Sequence, residues 1–186
     1  MKAIQLNLIN ERVKQCTKCP ELVADRIKTV FGNGDPNAQL LFCAEAPGKD
    51  ESISGNVLVG QAGKLFNNIL EACKLKREEV YTCNVLKCRP PNNRLPTDEE
   101  CHNCLPYLTE QINIIQPKII VALGACASQN LLKTKTPIGR LRGNWYNYEG
   151  IPVMPTWHPS YLLRQSAAKK DTWDDMQKVM EKLGYV

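Results

Sequence analysis

The residues best suited to chemistry stand where β-rich runs end. Four such runs, each stopped by glycine or proline, cover residues 39–48, 80–91, 118–124 and 151–159. Their ends carry Glu45, Asn84 and His158. A carboxylate can hold a water, an amide offers both a donor and an acceptor, and an imidazole exchanges protons near neutral pH. These three side chains are therefore the first candidates for a common site.

The stretches between those runs show helical spacing. In GKLFNNILEACKL (63–75) the apolar residues recur at three and four positions. Alternating strands and helices predict an α/β fold, namely a three-layer α/β/α domain with a central, mostly parallel four-stranded sheet. Because open parallel sheets bind ligands beyond the carboxyl ends of their strands, Glu45, Asn84 and His158 are predicted to share one rim.

Nine cysteines offer two possible metal-ligand sets. Cys16 and Cys19 form a CxxC followed directly by a proline. Cys101 and Cys104, a second CxxC, would complete a tetrahedral zinc site. Alternatively, Cys88 and Cys104 complete the set, and a Cys-Pro step is found at the end of some iron-sulfur ligand runs. Spacing alone leaves both sets open.

Length and composition favour an ordinary globular protein. With 186 residues the chain can bury one core, so a single domain over residues 1–186 is predicted. No apolar run could span a membrane and the first residues lack the apolar core of a secretory signal, so we expect a cytoplasmic protein with reduced thiols. We also expect a monomer. A net charge of +5 is compatible with an anionic partner.

Several motifs together resemble a known family. In chain order they are AEAPGKDES, GNVLVGQAG, NVLKCRPPNNRLP, CLPYL, KIIVALG, RLRG and WHPSYLLR. This series is similar to the family 4 uracil-DNA glycosylases, the iron-sulfur branch of that superfamily, over nearly the whole chain. The resemblance implies a monofunctional DNA repair enzyme that flips uracil out of single- or double-stranded DNA, hydrolyses its N-glycosidic bond and leaves an abasic site.

The same resemblance implies a 4Fe-4S cluster on Cys16, Cys19, Cys88 and Cys104. In this family the cluster is structural. It would pin the amino-terminal segment to the loop that follows the second predicted strand.

The resemblance also assigns roles in base excision. Asn84 would read the flipped base, because an amide can meet uracil O4 and N3-H together whereas cytosine presents the reverse pattern. His158 would donate toward uracil O2 and stabilise the charge that develops there. Backbone N-H groups around Glu45 and Ala46 would help.

The group that positions the attacking water is left open. Related branches carry an aspartate where this chain has Ala46, so Glu45 and Glu51 are the candidates. Glu51 could instead crowd the C5 position of the base and exclude thymine, since Gly48 stands where another branch has an aromatic ring.

DNA contacts are expected from leucines and arginines in the same loops. Leu162 or Leu163 would wedge into the gap left by the flipped base. The candidates for phosphate contacts are Arg89, Arg94, Arg140, Arg142 and Arg164.

Leu58 is the main departure from the family pattern. Family members usually carry a phenylalanine there, and its ring stacks on the uracil. Stacking on a base is worth about 1 to 3 kcal/mol, so we expect reduced but real uracil excision. One alternative is a protein that recognises uracil or damaged DNA and excises weakly. Another is an iron-sulfur redox protein, which would leave Asn84 and the HPSYLLR segment without a role.

Overall fold

The computed structural model describes all 186 residues. Its helices are α1 (Lys2–Lys14), α2 (Pro20–Asp25), α3 (Lys49–Ser54), α4 (Gly60–Ala72), α5 (Asp98–Ile115), α6 (Gly124–Leu132), α7 (Ile138–Leu141), α8 (Pro159–Arg164) and α9 (Lys169–Leu183). Its strands are β1 (Asn33–Gly34), β2 (Leu40–Ala44), β3 (Tyr81–Asn84), β4 (Ile119–Leu123), β5 (Tyr146–Tyr148) and β6 (Ile151–Thr156). Short 3-10 turns cover Arg77–Glu79, Pro91–Asn93 and Ser166–Ala168.

The sheet has six strands in the order β1-β3-β2-β4-β6-β5. The inner four are parallel, and both edge strands pair antiparallel. The predicted four strands are therefore the parallel part of a larger sheet. The edge strands contain only two and three residues, too few to show a period in the sequence. At one edge, Glu149 and Gly150 both have positive φ, which closes the tight hairpin between β5 and β6.

Side chains of the central strands alternate between two buried layers. Leu41 and Cys43 of β2 pack on the side covered by α1 and α5. Leu40 and Phe42 pack on the side covered by α4 and α9, where the Phe42 ring meets that of Phe66 edge-on at 4.9 Å. This alternation follows from the period-2 geometry of a strand and confirms the three-layer α/β/α prediction.

The strand order places a crevice at the carboxyl end of β2. The chain passes from β2 to β3 on one side and later to β4 on the other side. Ligands bind where such a reversal separates the loops. The loops that follow β2, β3, β4 and β6 all open at this end. None of the helices has the length and apolar character needed to cross a membrane.

Candidate active site

A cleft of about 720 Å³ lies beyond the carboxyl ends of the parallel strands, and we call it the rim cleft. Of the residues singled out in the sequence, it is lined by Glu45, Ala46, Glu51, Leu58, Asn84, Arg94, His158, Leu163 and Arg164. Four separate loops bring these side chains together. A larger cavity of about 970 Å³ lies beside Leu40, Leu75 and Trp173 and contains none of them. Convergence of polar groups, not volume, distinguishes the rim cleft.

Asn84 ends β3 with its side chain free of protein partners. The residue is 2% exposed, yet its amide makes no hydrogen bond within the protein. Its backbone carbonyl accepts a hydrogen bond from Lys87 Nζ at 2.8 Å. Neither polar atom of the amide is among the buried atoms that lack a partner, so both reach the solvent in the rim cleft. The donor and acceptor of Asn84 are thus left for a ligand in the rim cleft.

His158 is a neutral hydrogen-bond donor. Its Nδ1 accepts from the backbone N-H of Ser160 at 3.0 Å and lies 2.7 Å from the Ser160 hydroxyl. Since Nδ1 is an acceptor, the proton of the neutral ring is on Nε2. Burial lowers the pKa of His158 to about 4, and the positive charge of Arg164 adds to that shift. The imidazole therefore offers one N-H without carrying a charge at neutral pH.

Gly124 allows His158 to approach the end of β4. Its φ is +88°, a left-handed value that side chains other than glycine rarely adopt. A Cβ at this position would also stand 3.0 Å from the His158 Cβ. Both restrictions account for glycine where β4 meets α6.

The two glutamates of the rim cleft have different surroundings. The Glu51 carboxylate accepts from the backbone N-H of Gly48 at 3.1 Å and caps the first turn of α3. The Glu45 carboxylate has no hydrogen-bond partner in the protein, and burial raises its pKa above the ordinary value. Glu45 is consequently the less engaged of the two in hydrogen bonds within the protein.

Leu58 is held at the wall of the rim cleft by contacts with its backbone. Its carbonyl accepts from Arg77 at 3.0 Å, and its φ is +51°. A Cβ on Gly63 would lie 2.0 Å from that carbonyl, so only glycine lets α4 pass so close. The leucine side chain is 6% exposed and occupies the position at which the family resemblance implies a stacking phenylalanine.

The two leucines predicted to wedge into DNA differ in their exposure. Leu162 is 1% exposed and packs in the interior, so it is not available to contact DNA in this structure. Leu163 is 48% exposed and lines the rim cleft. The rotation of α8 turns one of two adjacent leucines inward and the other outward.

Arg142, predicted as a phosphate contact, is paired within the protein instead. Its guanidinium donates to both carboxylate oxygens of Asp175, which is fully buried, and the pair raises the pKa of Arg142. Breaking such a buried pair is strongly destabilising. Arg142 therefore anchors α9 and does not serve as a free phosphate ligand.

The remaining arginines differ in availability. Arg164 is exposed on the rim cleft and makes no ion pair, and Arg140 is exposed outside it. Arg94 lines the cleft but donates to Glu100 and to Glu21. Arg89 lies outside the cleft lining and donates to Asn93 at 2.7 Å.

Some rim residues were not identified from the sequence. Lys49 is exposed beside the cleft and adds a positive charge. The rings of Trp157 and Tyr161 stack at 4.4 Å on its wall, with Trp157 Nε1 donating to Asp171 at 3.0 Å. The aromatic residues on either side of His158 in WHPSY were the available signal.

The cysteines form one group at a second place. Cys16, Cys19, Cys88 and Cys104 line one small cavity, and we call these four the cysteine site. Cys101 is 4% exposed and packs in the core instead. This grouping matches the ligand set implied by the resemblance and not the paired CxxC set.

Backbone and side-chain donors already point at the sulfur atoms of the cysteine site. Arg26 donates to Cys88 Sγ at 3.2 Å, and the backbone N-H of Lys87 donates to Cys104 Sγ at 3.3 Å. Asn103 lies 3.7 Å from Cys19 Sγ. Burial raises the pKa of Cys104 to about 12, while the positive charge of Lys87 opposes that rise.

The lining of the cysteine site is chemically compatible with an iron-sulfur cluster. Cysteine thiolates are the usual ligands of such clusters. N-H donors of Arg26 and Lys87 are directed at two of the four sulfur atoms.

Comparisons with known proteins identify the family of the chain. Residues 31–183 match the model of the uracil DNA glycosylase superfamily. The chain is 43% identical over 177 residues to the type-4 uracil-DNA glycosylase of Thermotoga maritima, covering 93% of this chain and 92% of that protein. It is 41% identical to the type-4 enzyme of Saccharolobus solfataricus (96% and 86% covered) and 39% identical to that of Archaeoglobus fulgidus (96% and 94% covered). The chain therefore belongs to the uracil DNA glycosylase superfamily, in its type-4 family.

Proposed function

We propose that this protein is a monofunctional uracil-DNA glycosylase. The observation that carries the proposal is the pairing, in one cleft, of a free amide on Asn84 with a neutral Nε2-H donor on His158. The names of the full-length relatives point the same way. A recogniser without efficient excision is not favoured, because the chain retains both groups.

Base recognition follows from the chemistry of the amide. A base inside a duplex must be flipped out, at a cost of a few kcal/mol, before it can enter the rim cleft. Asn84 then donates to uracil O4 and accepts from N3-H. Cytosine presents an amino group and a bare nitrogen at the same two positions, so its pattern is reversed.

Bond cleavage depends on stabilising a leaving anion. As the bond between C1′ and N1 breaks, the electron pair goes to the uracil and positive character develops on the sugar. His158 Nε2-H donates to uracil O2, and backbone N-H groups around Glu45 and Ala46, which line the same cleft, would assist. One well-placed donor of this kind contributes about 100- to 1000-fold in rate.

We assign the water to Glu45. Its carboxylate has no competing partner, and its raised pKa makes it a better base for a water that attacks C1′. Glu51 is committed to capping α3 through Gly48, which supports the other role, crowding of the C5 position against thymine.

DNA contacts surround the rim cleft. Arg164 and Lys49 are exposed cations suited to phosphates, and Leu163 is the remaining wedge candidate. Arg94 would contact a DNA phosphate after it releases its carboxylate partners, or it would act indirectly by shaping its loop. Action on both single- and double-stranded DNA stays a prediction of the family resemblance. The single-domain organisation and the cytoplasmic location stay predictions from length and composition, and the monomeric state stays a prediction as well.

The cysteine site would hold a 4Fe-4S cluster on Cys16, Cys19, Cys88 and Cys104. The bound cluster would act as a cross-link between the amino-terminal segment, the loop after β3 and α5. A redox protein without base chemistry is the competing function, but it assigns no role to the rim cleft.

The direct test is incubation with single- and double-stranded oligonucleotides that carry one uracil, followed by alkaline cleavage of abasic product. We expect strand cleavage at the uracil and none with thymine at that position. Tight binding without cleavage would instead identify a recogniser.

The cofactor has its own test. A brown protein with a broad visible absorption band and about four irons per chain is expected. A colourless protein that contains zinc would refute the cluster, whatever its activity.

A further inference from the structure

Lys87 is a buried cation that none of the proposed chemistry uses. The residue is 1% exposed, and it lies between the rim cleft and the cysteine site. Its Nζ donates to the backbone carbonyl of Asn84 at 2.8 Å and to Gln111 Oε1 at 2.5 Å. Its own backbone N-H donates to Cys104 Sγ at 3.3 Å. One residue thus contacts both sites.

The ammonium of Lys87 lacks a carboxylate partner. None of the ion pairs in the protein involves it, and its third side faces the Phe31 ring with Nζ 5.7 Å from the ring centre. A buried charge is strongly unfavourable unless other charge balances it. Neutral oxygens and a ring supply hydrogen bonds and some attraction, but no opposite charge.

The opposite charge is available at the cysteine site. Four thiolates around a 4Fe-4S core would give that site a net negative charge. Lys87 immediately precedes Cys88 in the chain, its backbone contacts the Cys104 sulfur, and its positive charge acts on the Cys104 thiol. Arg26, which donates to Cys88 Sγ, is the other cation at this site, but it is only partly buried and does not contact Asn84. Interaction in a buried region is little screened by water or salt.

We propose that Lys87 is a positioning residue that couples the two sites. Its ammonium is balanced by the negative cysteine site and, in return, holds the Asn84 carbonyl so that the base-reading amide stays aimed into the rim cleft. Gln111 orients Lys87 from behind, because its own amide donates to the Phe31 carbonyl at 2.9 Å. This proposal rests on the proposed function of the rim cleft and on the cluster.

The first test is electrochemical and independent of DNA. Lys87→Met keeps the length of the side chain and removes its charge, whereas Gln111→Glu keeps Lys87 and gives it a local carboxylate. Both changes reduce the positive charge that the cluster experiences, so both should lower its reduction potential relative to the wild-type protein. Lys178→Met, which removes a lysine bonded to the distant Gly143 carbonyl, should leave the potential unchanged.

The second test asks whether the effect on excision passes through Asn84. Single-turnover cleavage of a uracil oligonucleotide should fall about 10- to 100-fold in Lys87→Met, as expected for a misplaced recognition group. In an Asn84→Ala background, Lys87→Met should lower the excision rate less than about threefold, because the effects of coupled residues are not additive. General destabilisation would instead lower the excision rate by the same factor in both backgrounds.

The outcomes separate this proposal from the proposed function. Wild-type protein without uracil excision or without a cluster defeats the proposed function itself. Two results would overturn the coupling if the wild-type protein is active and contains the cluster. One is an unchanged reduction potential in Gln111→Glu. The other is a loss of excision rate from Lys87→Met that is as large in the Asn84→Ala background as in the wild type. Should Lys87→Met fail to fold, the Gln111→Glu potential decides alone.

Discussion

The rim cleft and the cysteine site share the loop that follows β3, but they treat their polar groups in opposite ways. In the rim cleft, the side chains of Asn84 and Glu45 are left without protein partners. In the cysteine site, protein N-H groups of Arg26 and Lys87 already donate to the sulfur atoms. The free groups of the rim cleft suit a ligand that binds transiently. The donors of the cysteine site suit a group that stays bound.

This difference predicts which substitutions affect rate and which affect stability. A side chain that faces an open cleft can be truncated with little loss of folding energy. A ligand of a structural cofactor cannot, because the binding energy of the cofactor is part of the folding energy. Variants of the two sites should therefore separate into two classes.

The largest effect on rate is expected for His158→Ala. Removing the Nε2-H donor should lower single-turnover uracil excision about 100- to 1000-fold, because the leaving anion loses its stabilisation. The iron content should stay unchanged, since His158 lies away from the cysteine site. Quench-flow or gel assays of strand cleavage measure the rate, and iron analysis measures the cofactor.

The pH profile of the wild-type protein checks the neutral state of this histidine. With the pKa of His158 lowered to about 4, excision should not lose rate through protonation of the imidazole between pH 8 and 6. Any acid limb should lie below pH 6. A loss centred at the ordinary histidine pKa of 6.5 would contradict the assigned tautomer and charge.

The largest effect on stability is expected for Cys88→Ala. Loss of a cluster ligand should remove the visible absorption and lower the melting temperature by about 10 °C, which corresponds to roughly 3 to 5 kcal/mol for a chain of this size. Cys101→Ala is the matched control, because it removes a cysteine of the core and not of the cysteine site. Its cluster should remain, and loss of absorption in that variant would restore the paired CxxC set.

A smaller and substrate-dependent effect is expected for Leu163→Ala. Losing the wedge should slow excision from double-stranded DNA about 10-fold and leave single-stranded DNA nearly unaffected, because only the duplex must be unstacked. Leu8→Ala is the control, since Leu8 is 64% exposed on α1 and lies away from the rim cleft. Equal losses on both substrates would remove Leu163 from the wedge role.

The smallest effect is expected for Leu58→Phe. A ring at this wall should stack on the flipped base and raise excision by about 3- to 10-fold, within the 1 to 3 kcal/mol that stacking provides. The change is measured as the rate at low enzyme concentration on a uracil oligonucleotide. Lower activity would show that Leu58 packs the cleft better than a ring does.

The sequence predicted the parallel sheet and its rim because buried strands and breaker residues leave strong local patterns. It did not predict β1 and β5, since edge strands of two or three residues carry no period. The residues at the strand ends could be predicted for the same reason as the strands, because the breaker residues that end each strand form a local pattern in the sequence.

The errors concern contacts between distant parts of the chain. Arg142 was assigned to DNA because its partner, Asp175, lies 33 residues away. Leu162 and Leu163 could not be separated before the rotation of α8 was known. Likewise, spacing could not show that Cys101 turns into the core while Cys104 faces the cysteine site.

The central claim, that Asn84 in the rim cleft reads uracil, is tested most directly by Asn84→Asp. Wild-type and variant protein are incubated with matched oligonucleotides containing uracil or cytosine, and abasic product is measured after alkaline cleavage. Asn93→Asp makes the same chemical change elsewhere on the cleft and serves as the control. The account predicts that Asn84→Asp loses uracil excision and gains cytosine excision, because a carboxylate accepts from the cytosine amino group. Unchanged preference for uracil in that variant would contradict it.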